Sequence, residues 1–155
     1  MDAALAMLGR RRYCTPRLRV RLLEKCPDQD PEPVLRRLQE LGLLDDRAYL
    51  DDFVTDRLER RGQGPLKIKA ALLAEGLDEG LIEDAIRRKT GAGGERERAR
   101  AVLQTYLRRT RPRSATGVDG EAQEDPGALR AAAYRHLRSR GFRDDTVCDL
   151  LRESL

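Results

Sequence analysis

Few residues in this chain have the type and spacing that catalysis needs. His136 is the sole histidine, and serine occurs only at Ser114, Ser139 and Ser154. A Ser-His-Asp hydrolase or a His-rich metal centre has almost nothing to be built from. Cys14, Cys26 and Cys148 are odd in number, widely spaced and form no CxxC pair. That pattern argues against a zinc site or a disulfide framework and fits a reducing cytoplasm. Asp45-Asp46 and Asp51-Asp52 are the paired carboxylates that acid–base or metal chemistry would use. Asp45 stands directly before an apolar periodic run, where a carboxylate caps a helix. Asp51 and Asp52 lie beside the apolar stripe of the same run and face solvent or a basic partner. His136, next to Leu137, reads as a half-buried structural residue. The expectation is therefore no catalytic site, no metal and no cofactor.

The residues that could do chemistry by binding are cationic. Arg10, Arg11 and Arg12, with Arg17, Arg19 and Arg21, form a dense cluster near the start. Arginine grips phosphate or carboxylate through paired hydrogen bonds. Arg60, Arg61, Lys67 and Lys69 flank a Gly62-Gln63-Gly64-Pro65 loop. There the glycines allow close backbone approach and a helix start offers N–H groups to an anion. The same loop also reads as a plain interhelix turn, and its spacing is not that of a Walker A loop. Arg96 and Arg100 share a helix face inside a third block that also holds Arg87, Arg88, Lys89, Arg98, Arg108 and Arg109. Residues 1–25 carry seven basic and two acidic groups, residues 26–59 four and ten, and residues 87–113 ten and two. The banding is much stronger than the net charge of +4 suggests. It favours a partner with extended charge, such as nucleic acid or a nucleoprotein, although a solvated helical surface has the same composition.

The elements that must position these groups are helices. Tyr49, Leu50, Phe53, Val54 and Leu58 recur at helical spacing. So do Ala99, Val102, Leu103, Tyr106 and Leu107, and so do Val34, Leu35, Leu38 and Leu41. Tyr106 lies on its apolar stripe and reads as core. Thr15-Pro16, Asp30-Pro31, Asp45, Gly64-Pro65 and Asp78 read as helix starts. Gly42, Gly76 and Gly141 suit the left-handed position after a helix, with Leu77 and Phe142 folding back on the last turn. The reading is helices near 2–12, 15–26, 31–41, 46–61, 65–75, 79–89, 95–110, 127–140 and 144–154. No apolar run is long enough to span a membrane. The short apolar stretch at the start precedes its arginines, the reverse of a secretory signal.

An internal repeat groups these helices in threes. A shift of 65 places Ile68 on Ala133, Leu72 on Leu137, Gly76 on Gly141, Leu77 on Phe142, Ile82 on Val147 and Ile86 on Leu151. A looser shift of 50 places Leu18 on Ile68 and Leu22 on Leu72. Two extra loop residues then bring Val34 onto Ile82 and Leu38 onto Ile86. The fold class expected is all-α: three tandem three-helix repeats in an elongated, curved array, at 1–44, 45–90 and 91–155. Residues 112–127 have no apolar period and read as a flexible insertion in the third repeat.

Residues 41–77 resemble the central motif of the RecX family. The shared features are the Leu44-Asp45-Asp46 turn, Tyr49 and Phe53 on one helix, the Gly62 to Gly64 loop, Lys67-Ile68 and the terminal Gly76. Residues 6–26 and 134–147 are similar to the family's first and last repeats. The resemblance implies a regulator of the RecA recombinase, not an enzyme. Such a protein would bind the RecA–DNA filament and limit its growth, ATP hydrolysis and strand exchange, and with them the SOS response. The partners implied are the RecA filament and single- and double-stranded DNA, bound weakly or through the filament. The expected protein is a cytoplasmic monomer that makes no membrane contact. Two rivals stand beside this reading: a helical DNA-binding module that acts without RecA, and a structural adaptor between charged partners.

Overall fold

A computed structural model of the chain describes residues 1–91, 93–110 and 126–154. Among them are nine α-helices and no strand. They are α1 (Asp2–Leu8), α2 (Thr15–Lys25), α3 (Glu32–Glu40), α4 (Asp46–Thr55), α5 (Pro65–Ala74), α6 (Glu79–Thr90), α7 (Gly94–Thr110), α8 (Pro126–Arg140) and α9 (Asp144–Ser154). Of the expected insertion at 112–127, Pro126 and Gly127 open α8. Its residues 112–125 lie outside the described residues.

The local chemistry explains most of the boundaries. Asp45 Oδ1 accepts the N–H groups of Arg47 and Ala48, at 2.9 and 3.0 Å, and Asp78 Oδ1 accepts that of Leu81 at 3.0 Å. Both carboxylates thus satisfy helix donors that have no intrahelical partner. Gly42, Gly76 and Gly141 have φ of +68°, +85° and +89°. After each, the next residue's N–H returns to a carbonyl one turn back: Leu43 to Leu38, Leu77 to Leu72 and Phe142 to Leu137. The same helix stop therefore occurs three times, and only glycine adopts its backbone freely.

Three expectations are corrected. Helix α1 ends at Leu8 rather than 12. The chain turns off after Gly9, and Tyr13 and Cys14 then pack inward, with Cys14 wholly buried. The residue capping α2 is Cys14, not Thr15, which is already helical. The Thr15 N–H donates instead to Asp46 Oδ1 at 2.6 Å. The run from 46 to 61 is not one α-helix, because α4 gives way to a π-helical turn at Asp56–Arg60.

The chain divides into two compact units. The first comprises Met1–Asp56 with Lys69–Lys89, and the second Arg57–Ile68 with the described part of Thr90–Leu155. The core of the first holds Ala4, Leu18, Leu22, Leu35, Leu38 and Leu44, rimmed by Met7, Leu8, Tyr13 and Val34. Beside it the Cys14 thiol faces Glu75, and the Tyr49 hydroxyl lies 3.5 Å from Glu75 Oε2. Burial pushes the Cys14 thiol up to about 11 and the Tyr49 phenol up to about 12.

The core of the second unit holds Ala99, Leu103, Ala133, Leu137, Phe142, Val147, Leu150 and Leu151. Here the loop before α5 meets the turn after α8 backbone to backbone. The Gly64 N–H donates to the Arg140 carbonyl at 2.8 Å and the Leu66 N–H to the Gly141 carbonyl at 3.1 Å. Most positions that the repeat aligned are buried alike: Leu18, Ile68 and Ala133 are fully enclosed, as are Leu72 and Leu137, and Ile82 and Val147. Val34, placed on Ile82, is the exception: it is half-buried, and Leu35 beside it takes the enclosed place.

Candidate functional site

In the first unit the cations follow the end of α1. Arg10, Arg11 and Arg12 occupy the three residues after Gly9, and all are exposed. The Arg11 guanidinium lies 4.4 Å above the centre of the Tyr13 ring. Arg12 pairs with Asp52, and Arg88 pairs with Asp51 at 2.9 Å. Asp51 and Asp52 of α4 therefore each meet an arginine of their own unit. Among the described residues no group of three or more His, Cys, Asp or Glu is placed to hold a metal ion. Lys69 Nζ sits 2.5 Å from Glu79 and 2.6 Å from Glu83, and their carboxylates raise its pKa. Arg17 is half-buried on α2. Arg10 and Arg17 make no ion pair among the described residues.

In the second unit Arg96 and Arg100 do share a face of α7, and both reach Glu153 of α9, Arg100 at 3.4 Å. Arg96 first, then Arg100, holds the Glu153 carboxyl below the usual range. Lys67 Nζ donates to the Ser139 carbonyl at 3.0 Å. Three N–H groups in the loop and at the start of α5 are already taken by carbonyls. Those of Gly64 and Leu66 go to the carbonyls of residues 140 and 141, and that of Gln63 goes to Arg57. The interhelix-turn reading of this loop is the one the backbone satisfies.

The second unit also forms a site that the charge blocks did not single out. A cavity of about 570 Å³ lies among the π-helical turn, α7 and α8. Arg60 and Arg61 line it, as do Arg98, Arg109 and Arg140. Among the described residues Glu59 is the one acid on its wall. Tyr106 and His136 stack there with ring centres 4.4 Å apart and planes inclined by 22°. Leu58 and Val102 supply apolar surface. Backbone carbonyls hold two of the guanidiniums: Arg140 donates to Arg61 O at 2.7 Å, and Arg98 to Gly94 O at 3.3 Å. Arg109 and Arg140 make no ion pair among the described residues. His136 registers the resulting field: burial lowers its pKa first, and Arg140 and Arg109 lower it further.

The structure thus brings Arg60 and Arg61 together with three arginines of α7 and α8. Arg96 and Arg100 lie on a different stripe of α7. The sequence does contain the cavity stripe, because residues 98, 102, 105 and 109 recur at helical spacing. The Tyr106 ring is not enclosed core as expected. It is half-buried, packed on the core at one edge and open to the cavity.

Known proteins place the chain. Residues 45–86 match the family model of the second three-helix domain of RecX, a stretch that holds α4, α5 and most of α6. The regulatory protein RecX of Thermus thermophilus is 35% identical over 139 residues, covering 90% of this chain and 80% of that protein. That of Halorhodospira halophila is 35% identical over 149 residues, covering 94% and 82%. The crystal structure of RecX from Lactobacillus salivarius shares the fold, with a TM-score of 0.77 over 98% of this chain and 92% of that one at 18% identity. An identity of 35% maintained across nine-tenths of the sequence, on a shared helical fold, means that this chain belongs to the RecX family of regulatory proteins.

Proposed function

We propose that this protein is a negative regulator of RecA. It binds the RecA–DNA filament and limits filament growth, ATP hydrolysis and strand exchange. The observation that carries this reading is the similarity to regulatory proteins of the RecX family over nine-tenths of the chain. The exposed cations support it. Arg10, Arg11 and Arg12 extend from one unit, and Arg60, Arg61, Arg96 and Arg100 from the other. With Arg17, Lys67 and Lys69 they supply separate contacts to the filament, distributed over three repeats at 1–44, 45–90 and 91–155. The protein acts by binding rather than catalysis, as a monomer in the cytoplasm, without a cofactor. Contacts at several weak points raise effective concentration, so no single arginine dominates.

The test is RecA-dependent ATP hydrolysis on single-stranded DNA, with and without the protein. Inhibition is expected, and it weakens as salt rises. Arg10→Glu, Arg61→Glu or Arg96→Glu alone causes a modest loss of inhibition. The triple variant nearly abolishes it, with an unchanged helical dichroism spectrum. Full inhibition by the folded triple variant would place the contact elsewhere. The rival reading, a DNA-binding module acting without RecA, draws on the arginine-lined cavity. It predicts the same DNA affinity with and without RecA and no inhibition beyond competition for DNA.

A further inference from the structure

The cavity of the second unit combines two features that a surface merely solvating charge does not need together. One is a set of arginines from three segments of chain, converging on a space that a single acid bounds among the described residues. Among the described residues Arg109 and Arg140 make no ion pair, whereas Arg19 meets Glu32 and Arg37 meets Glu40. The other feature is an aromatic pair. The Tyr106 and His136 rings stack on one another, with Val102 beside them.

Guanidiniums match a phosphate, through paired N–H donors and charge. A planar π-surface with an apolar flank matches a nucleobase, which stacks whatever its sequence. An acidic peptide would use the arginines and leave the aromatic pair without a function. A base pair inside a duplex would offer phosphate but keep its faces in the stack.

We propose that this cavity receives an unpaired nucleotide of single-stranded nucleic acid, its base stacked on the Tyr106–His136 pair and its phosphate among Arg109, Arg140 and their neighbours. This deepens the regulator reading by assigning the single strand a seat in the second unit. It rests on that reading only for the source of the strand.

The experiment is fluorescence anisotropy of a labelled 20-residue oligo(dT), without RecA, across a series of salt concentrations. Wild type binds it. Tyr106→Leu weakens binding about 5-fold or more with an unchanged salt slope, since stacking carries no counterion. Tyr106→Phe keeps the ring and restores affinity. Arg109→Gln weakens binding and lowers the slope of log K against log salt by about 0.7, the value for one single-strand phosphate. Arg152→Gln, on exposed α9 surface, changes neither quantity beyond a small screening effect. A 20-base-pair duplex is insensitive to Tyr106→Leu.

If Tyr106→Leu fails to fold, the exposed Arg109→Gln still decides the phosphate half, and Tyr106→Phe against His136→Leu decides the stacking half. The proposal is overturned if wild type does not bind the oligonucleotide, or if Tyr106→Leu and Arg109→Gln bind it as wild type does. It is also overturned if the Tyr106 and Arg109 variants weaken single strand and duplex equally, or if a polyglutamate peptide displaces the strand at equal concentration. Displacement by equimolar thymidine monophosphate would overturn it too, by identifying a free nucleotide as the ligand instead. Because RecA is absent, failure here leaves the ATPase test standing, and failure of the ATPase test leaves this result standing.

Discussion

Gly64→Ala should be among the most damaging single-methyl additions in this protein. Gly64 is absent from the left-handed glycines, so no left-handed backbone is at stake. The obstacle is space. A Cβ at position 64 would stand 2.5 Å from Phe142 N and press equally hard on the carbonyl group of Gly141. These are backbone atoms and cannot swing aside. Relief requires residues 64–66 to separate from residues 140–142, which stretches the hydrogen bonds of 2.8 and 3.1 Å that join them. Overpacking costs about 1–3 kcal/mol. Two weakened hydrogen bonds add about 1 kcal/mol each. The expected loss is thus about 3–5 kcal/mol, measured as the shift in urea-unfolding free energy. Gly42→Ala is the internal control: φ is +68° but nothing lies within 4 Å of its Cβ. It should lose only the left-handed penalty of about 1–2 kcal/mol. If Gly64→Ala proves no more costly than Gly42→Ala, the backbone joint is not a stabilising contact and the reasoning fails.

Leu72→Ala, at a wholly buried position, should lower the unfolding free energy by about 2–5 kcal/mol; a change within error would mean that the position is not packed. The Cys14 thiol, raised to about 11 by burial, should stay unreactive to a thiol reagent at pH 8 in the folded protein and react on unfolding. Modification of native Cys14 at the rate of a free thiol would contradict its burial. His136 has a folded pKa below its unfolded value of about 6.5, so the unfolded chain binds more protons between the two. Its contribution to stability is present above pH 6.5 and is lost as pH falls through the lowered value. His136→Gln should therefore flatten the melting temperature between pH 7.5 and 5.5, and an unchanged pH profile would refute the shift.

Much of the fold is written locally. Asp45, Asp78, Gly42, Gly76 and Gly141 act within a few residues of themselves, so their effect is readable without knowing the packing. The core positions of the repeat are readable for the same reason, since helical period determines which faces turn inward. The early end of α1 depends instead on Cys14 and Tyr13 finding buried places among other helices. The π-helical turn at 56–60 inserts an irregularity that no residue in Asp56–Arg60 announces by type.

The candidate site was legible only in part. Arg60, Arg61, Arg96 and Arg100 stand out as dense charge in the sequence. Charge density does not distinguish Arg96, paired with Glu153, from Arg109 on the cavity wall. That difference depends on which helix lies opposite. Tyr106 and His136 are thirty residues apart, and their stacking is created by the packing of α7 on α8.

The backbone joint at Gly64 and Gly141 also sets an order of events during synthesis. Arg61 receives its hydrogen bond from a residue 79 positions later. At about 5–20 residues per second, the segment around 57–68 leaves the ribosome roughly 4–16 s before that partner exists. Every residue of the first unit has been made by position 89. That unit can therefore complete its core while Leu58 and Ile68, buried residues that belong to the second unit, are still without the rest of that unit. For those seconds the nascent chain carries one finished unit and an exposed apolar segment, which is the interval in which a chaperone or a second nascent chain would find it.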